Sequence, residues 1–286
     1  MKFGQFELQL LSDGFFRLDG GAMFGVVPRV LWQKKFQPDE RNRIRLALNS
    51  LLILDGKQAV LVETGIGDKM TVKQVDIYGI EHTTTLPVSL RTHGLGSDDI
   101  DMVVDTHLHF DHCGWNTRRA SDGSLAPTFP RAHYYVQAGE LEHARQPTER
   151  DRASFLPENF EPMQATNQWI ALTGDREIIP GVELVRVPGH TRDMQCVRVR
   201  SQGRTAFFFA DMVPTTAHLP VAWIMGYDLY PLKTLEQKKR WIPQAVREEW
   251  LCFFVHDPTV PAAYLRQKGD EVIAEPAPEF APASVS

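Results

Sequence analysis

Apolar residues along this chain recur in short runs broken by glycine, proline and aspartate, the pattern of strands joined by tight turns with helices between them. Phe3–Leu11 and Phe15–Asp19 predict an opening hairpin around Asp13-Gly14, and Leu51–Leu54 with Ala59–Glu63 predict a second around Asp55-Gly56. Ser89–Leu95 reads as a short helix, and Ser97-Asp98-Asp99 leads into a strand over Ile100–Asp105. A strand over His133–Val136 runs into a helix over Ala138–Arg145. Further strands are expected at Val182–Val187, Gln195–Arg200, Ala206–Ala210 and Leu251–Val255, with a long helix over Leu232–Trp250 that bends at Pro243. The Pro/Ala-rich stretch Ala274–Ser286 predicts a disordered tail, which leaves residues 1–273 as one domain. Sheet-first, helix-between order predicts an α/β fold, a four-layer αββα sandwich.

Composition narrows the class. A chain of 286 residues with 43% apolar content can bury a large core. A net charge of -5 offers no bulk attraction to nucleic acid or anionic membrane, so neither is an expected partner. The short basic cluster Lys238-Lys239-Arg240 reads as a solvated helix face. Cys113, Cys196 and Cys252 are an odd number in a long chain and suggest no disulfide framework, which fits a reducing compartment. Met1–Glu7 places polar residues where a signal peptide needs an apolar core, and no apolar run approaches membrane-spanning length. A cytoplasmic location is expected.

The candidate chemistry sits in Thr106-His107-Leu108-His109-Phe110-Asp111-His112, where four metal-binding side chains fall within six positions. If a buried strand ends at Asp105, His107 and His109 project one way while Asp111 and His112 turn back from the next half-turn. Imidazole nitrogen and carboxylate oxygen together suit Zn, Fe, Co or Ni. Three later positions follow apolar strands: His190 in Val187-Pro188-Gly189-His190, Asp211 after Phe207–Ala210, and His256 after Leu251–Val255. Singly, a strand-end Asp is more often a cap and a strand-end His more often structural. Together with the first run they make five His and two Asp, enough for two ions.

The motif His107-x-His109-x-Asp111-His112, followed in order by His190, Asp211 and His256, resembles the metallo-β-lactamase superfamily. Within it, Asp19–Pro28, Ala210–Thr215 and Tyr227–Pro231 are similar to bacterial quorum-quenching lactonases. The resemblance implies a metallo-β-lactamase-type αββα fold. It places His107, His109 and His190 on one divalent ion, Asp111, His112 and His256 on a second, and Asp211 between them. Zinc is the first expectation, with iron, manganese or cobalt as alternatives. It further implies a metal-bridging hydroxide that attacks a lactone or ester carbonyl, with Asp111 and Asp211 as catalytic carboxylates and N-acyl-homoserine-lactone-like substrates. An organophosphate triesterase or aryl esterase on the same scaffold is the alternative, and a non-enzymatic metal-binding protein a more distant one.

Two positions depart from the family pattern. Glu63 stands where the superfamily usually has Asp, so a supporting hydrogen bond needs a longer arm, and Pro214 stands where some acyl-homoserine lactonases have Tyr. Tyr227, Tyr230 or His218 would then assist the reaction. Thr106, Thr191 and Asp105 are candidate supports for the ligand imidazoles. Met23, Phe24, Val26, Val27, Trp32, Trp115, Trp223, Ile224 and Met225 would wall an apolar substrate pocket, with core packing the competing reading for most of them. An exposed N-terminal loop carrying Trp32 and Phe36 could pair two copies as a homodimer.

Overall fold

In the computed structural model, which describes residues 1–280, Asp55 closes the second expected hairpin through its own side chain. Its carboxylate accepts from Lys57 N at 2.8 Å and Gln58 N at 2.7 Å. The turn joins strands Arg43–Leu54 and Ala59–Val62 in the register Leu51↔Val62 to Leu54↔Ala59.

The opening hairpin is different from the expectation. Phe6–Asp19 is one strand running through Asp13-Gly14, and the hairpin that opens the chain is Lys2–Phe3 against Phe6–Glu7. Asp13 is not a turn residue because its carboxylate is taken up elsewhere. One oxygen accepts from Ile66 N at 2.9 Å and Gly67 N at 3.0 Å, the other from Leu86 N and Trp115 Nε1, both at 2.7 Å. Gly14, at φ +86°, lets the backbone pass without turning back, and a side chain there would collide with the Glu81 carbonyl. Burial pushes the Asp13 carboxyl up to about 6, against the pull of the donated hydrogen bonds.

Among the described residues there are two seven-stranded sheets and a small two-stranded one. The first sheet has the order Lys2–Phe3, Phe6–Asp19, Arg43–Leu54, Ala59–Val62, Met102–Val104, His133–Gln137, Trp169–Leu172. Its last three pairings are parallel. The second has the order Arg176–Ile179, Val182–Arg186, Gln195–Ser201, Arg204–Phe208, Leu251–Phe253, Ala262–Lys268, Glu271–Pro276. Its parallel pair, Arg204–Phe208 with Leu251–Phe253, is linked through the helix Pro231–Arg247. The helix Ala138–Arg145 stands as expected, and the helix expected at Ser89–Leu95 spans Leu86–Thr92, with Pro87 in its first turn.

The chain divides into two compact units, one of Met1–Gly14 with Leu48–Arg176, the other of Phe15–Ala47 with Glu177 onward. The core of the first gathers Leu52, Leu61, Val103, Leu108, Phe129 and Tyr134 with Trp115. The second is built on aromatic contacts: Phe207 stacks on Trp241 at 5.3 Å and lies 5.3 Å from Trp250.

Two further expectations change. The tail is ordered where it begins: Ala274 pairs with Leu265 and Pro276 with Ala263, and Phe280 packs edge-on to Phe253 at 5.1 Å. The turn at Gly269 makes this a hairpin, which outweighs a Pro/Ala composition; the remainder, 281–286, lies outside the described residues. Trp32 is not on an exposed surface but buried, stacked on Phe24 at 5.4 Å, while the apolar side chains of that segment that turn outward are Val26, Val30 and Leu31.

Replacing Asp13 by Ala strands four buried donors at once and is expected to cost about 3 kcal/mol of stability, measured by urea unfolding. A loss below about 1 kcal/mol would show that water satisfies those donors.

Candidate functional site

In the first unit the strand Met102–Val104 ends and the chain turns through 105–113, all of it buried. The turn is fixed by backbone: His112 N and Cys113 N donate to the His109 carbonyl at 3.1 and 3.3 Å, and Phe110 N to Ser154 O at 2.8 Å. Glu140, buried on the helix Ala138–Arg145, accepts from Leu108 N at 3.1 Å. The result brings three imidazoles together. His107 and His112 lie 4.0 Å apart by ring centroids, His107 and His109 4.5 Å, with His107 Nε2 3.1 Å from His109 Nδ1. Donor atoms of Glu63, His107 and His112 all fall within 4.8 Å of one another, a spacing that one cation can satisfy.

The supports specify which nitrogen is left to bind. His112 Nδ1 donates to Glu63 Oε2 at 3.1 Å, so Glu63 makes the longer-armed hydrogen bond expected of it, and His112 Nε2 faces Asp111 Oδ2 at 3.6 Å. Thr106 Oγ1 lies 3.0 Å from His107 Nδ1, as expected of a supporting hydroxyl. Asp105 instead accepts from Asn116 Nδ2 at 3.0 Å on both oxygens, with burial first and then the Glu63 charge raising its carboxyl well above the usual range. Cys113 is a buried thiol donating to the Leu108 and His109 carbonyls, and all three cysteines are free and buried.

In the second unit the three strand-end residues converge. His190 follows Val182–Arg186, Asp211 sits on the short turn Ala210–Met212 after Arg204–Phe208, and His256 follows Leu251–Phe253. His190 Nε2 is 3.2 Å from Asp211 Oδ2, and His256 Nε2 is 3.3 Å from Asp211 Oδ1. On their far sides, His256 Nδ1 is 2.9 Å from the Ala47 carbonyl and His190 Nδ1 is 3.0 Å from Asp228 Oδ1. A carbonyl only accepts, so Nδ1 of His256 carries the proton; a carboxylate places the His190 proton likewise. Each imidazole turns its Nε2 toward one oxygen of the same carboxylate. That donor set fits a divalent cation with Asp211 shared between two imidazoles.

Asp228 was not singled out in the sequence, although it holds His190 and accepts from Thr234 Oγ1 at 2.5 Å. The available signal is its place three residues before the helix Pro231–Arg247. Gly189 is needed for the same contact, since a Cβ there would collide with Thr234 Oγ1.

The expected wall residues divide between the units. Phe24 is the hub of one cluster: it stacks on Trp32 at 5.4 Å and on His218 at 4.6 Å, and meets Trp223 edge-on at 5.7 Å. Met23 is buried, Tyr227 half-buried and Tyr230 exposed. Trp115 belongs to the core of the other unit, tied to Asp13. His218 is fully engaged: Nε2 donates to Met23 O and Nδ1 pairs with Thr215 Oγ1, both at 2.8 Å. Burial pulls its pKa down to about 3. It is a neutral structural imidazole with no nitrogen to spare for assisting a reaction.

The family model of the metallo-beta-lactamase superfamily matches residues 44–256, and the chain belongs to that superfamily. Its α/β fold is the one expected from the motif. A solved structure described as a probable metal-dependent hydrolase from Staphylococcus aureus is 31% identical, with a TM-score of 0.88 over 96% of this chain and 99% of that one. N-acyl homoserine lactonase AiiA of Bacillus thuringiensis subsp. kurstaki is 28% identical over 174 residues, 59% of this chain and 60% of its own length. The chain therefore spans about 60% of the length of the curated lactonases it matches first. AidC, described as a dizinc quorum-quenching lactonase, shares the fold at 18% identity, with a TM-score of 0.80 over 97% and 96% of the two chains.

Two predictions follow from this geometry. Asp228→Ala frees His190 Nδ1 and is expected to weaken metal affinity about 10- to 100-fold, read by competition against a chromogenic chelator; unaltered affinity would remove Asp228 from the site. The second concerns pH. His218 binds its proton in the unfolded chain near 6.5 but in the folded chain only near 3, so stability falls as pH drops through that window. The slope it contributes is about 1.4 kcal/mol per pH unit, and His218→Gln should be shallower by that amount in denaturant midpoints taken from pH 6 to pH 4.

Proposed function

We propose that this chain is a dinuclear metal-dependent hydrolase that opens lactones or cleaves related esters, with N-acyl-homoserine-lactone-like molecules as substrates. The observation that carries this reading is Asp211, whose two oxygens face Nε2 of His190 and Nε2 of His256. The proposed catalytic domain is a single one that takes in the paired stretch 274–280 as well as residues 1–273. His107, His109 and His190 would hold one ion, Asp111, His112 and His256 the other, with Asp211 common to both. Zinc is the first choice for this nitrogen and carboxylate set, and iron, manganese and cobalt are accepted by it.

Divalent ions held there would acidify a water and polarise the substrate carbonyl. The chain's own groups would do the rest. Glu63, Asp228 and the Ala47 carbonyl would keep the Nδ1 protons of His112, His190 and His256 in place, so that Nε2 is the nitrogen each turns toward an ion. Asp111 and Asp211 supply negative charge that offsets the ions. Trp223 would give an acyl chain an apolar wall, backed from behind by the buried Met23, Phe24 and Trp32, with Tyr227 and Tyr230 as phenols that could donate to the departing oxygen. A substrate of this class is supported by the lactonases among the relatives, AiiA above all. Among the described residues no helix is long and apolar enough to cross a membrane, in keeping with a cytoplasmic small-molecule enzyme.

His109→Ala and Asp211→Asn are each expected to lower hydrolysis of a lactone panel of graded acyl length by about a thousandfold or more and to reduce bound metal. Elemental analysis of the purified proteins, run beside the rate panel, decides the matter. Unchanged turnover in either variant would sink the mechanism.

A further inference from the structure

The basic cluster Lys238-Lys239-Arg240 is not one solvated face. The helical period sends Lys239 and Arg240 outward and turns Lys238 inward, where it is 0% exposed. Its ammonium donates to three backbone carbonyls, those of His218 at 2.6 Å, Pro220 at 2.9 Å and Trp223 at 2.7 Å. Three donors meet three acceptors, all from one short loop. Burial pulls the group down to about 7, and the Asp228 carboxylate opposes that pull. Burying a cation carries a desolvation cost, which the three carbonyls offset, and an apolar side chain there would leave all three without this donor.

The same helix carries a second tie. Thr234, four residues earlier on the buried face, holds Asp228, which holds His190. One turn of helix thus fixes both a proposed metal ligand and the 218–223 loop. That loop is continuous with the aromatic cluster: His218 stacks on Phe24 and donates to Met23 O, Trp223 meets Phe24 edge-on, and Gly226 N donates to Ala22 O at 2.8 Å.

We propose that Lys238 is a specificity-determining positioning residue: its ammonium fixes the 218–223 loop, and with it Trp223 against the buried Phe24, relative to His190, and so sets the length of apolar acyl group the wall accepts. The choice of substrate rests on the lactone and ester reading above; the anchoring of the loop does not. Lys238 touches no reacting atom and acts only through the loop.

Lys238→Met keeps an unbranched side chain one atom shorter and removes the charge. Amide hydrogen exchange across 218–226 is expected to quicken about tenfold or more while 186–190 and 209–212 hold their protection. In a lactone series, KM for long-acyl members should rise about tenfold relative to short-acyl ones, with kcat on the short ones and bound metal kept within about twofold. Unchanged exchange across 218–226 overturns the proposal, as does an equal loss of kcat on every lactone accompanied by loss of metal. Should Lys238→Met fail to fold, Trp223→Ala leaves the ammonium and its three carbonyls in place and must show the same collapse of acyl-length preference; a preserved preference overturns the proposal by that route. A wild-type chain that hydrolyses no lactone or ester overturns the substrate reading and the acyl-length role with it, while the exchange measurement still decides whether Lys238 anchors the loop.

Discussion

Two imidazole Nε2 atoms face the two oxygens of one carboxylate. In a buried setting that arrangement calls for positive charge, from a proton or a cation, because little solvent is present to screen the carboxylate. Everything around Asp211 serves to keep it so. The Ala47 carbonyl and Asp228 hold the protons of His256 and His190 on the far side, and Glu63 does the same for His112 in the other unit. The fold contributes strand ends: each ligand lies where a buried strand stops and the backbone is free to turn.

The supports of the site are carried on few elements. The helix Pro231–Arg247 holds His190 through Thr234 and Asp228, and the loop 218–223 through Lys238. In the first unit, Asp13 gathers the 66–67 turn, the start of the helix Leu86–Thr92 and Trp115 onto one carboxylate. Both devices bury a charge-bearing side chain among backbone groups, so each fixes a loop in one position at the expense of desolvation. Backbone strain sits beside both ligand sets, with Glu63 at φ 68° and Ala210 at φ 48°.

What could be read in the sequence was what is local. The run from His107 to His112, the Asp55-Gly56 hairpin and the helix Ala138–Arg145 declare themselves because the residues that decide them are neighbours. Asp13-Gly14 looked like a turn because the donors that claim Asp13 lie 53 to 102 residues further on. Lys238 looked solvated because its carbonyl partners lie 15 to 20 residues upstream, on a loop with no periodic signal. His218 has the look of a reactive group in sequence because its partner Phe24 is distant along the chain, and Trp32 that of a surface group because Phe24 is hidden by the Gly-rich character of their shared segment. Glu63 was legible through the family pattern, whereas Asp228 was not, since an Asp before a helix has a commoner use as a cap.

The most direct test of the central claim is a calorimetric titration of Zn²⁺ into the chelator-stripped chain near neutral pH. A donor set held ready for cations predicts saturable uptake of two ions per chain, as the proposed two-ion centre requires, with an accompanying rise in melting temperature. Absence of saturable uptake, or uptake that leaves the melting temperature where it was, would contradict the reading of Asp211 and its two imidazoles as a metal centre.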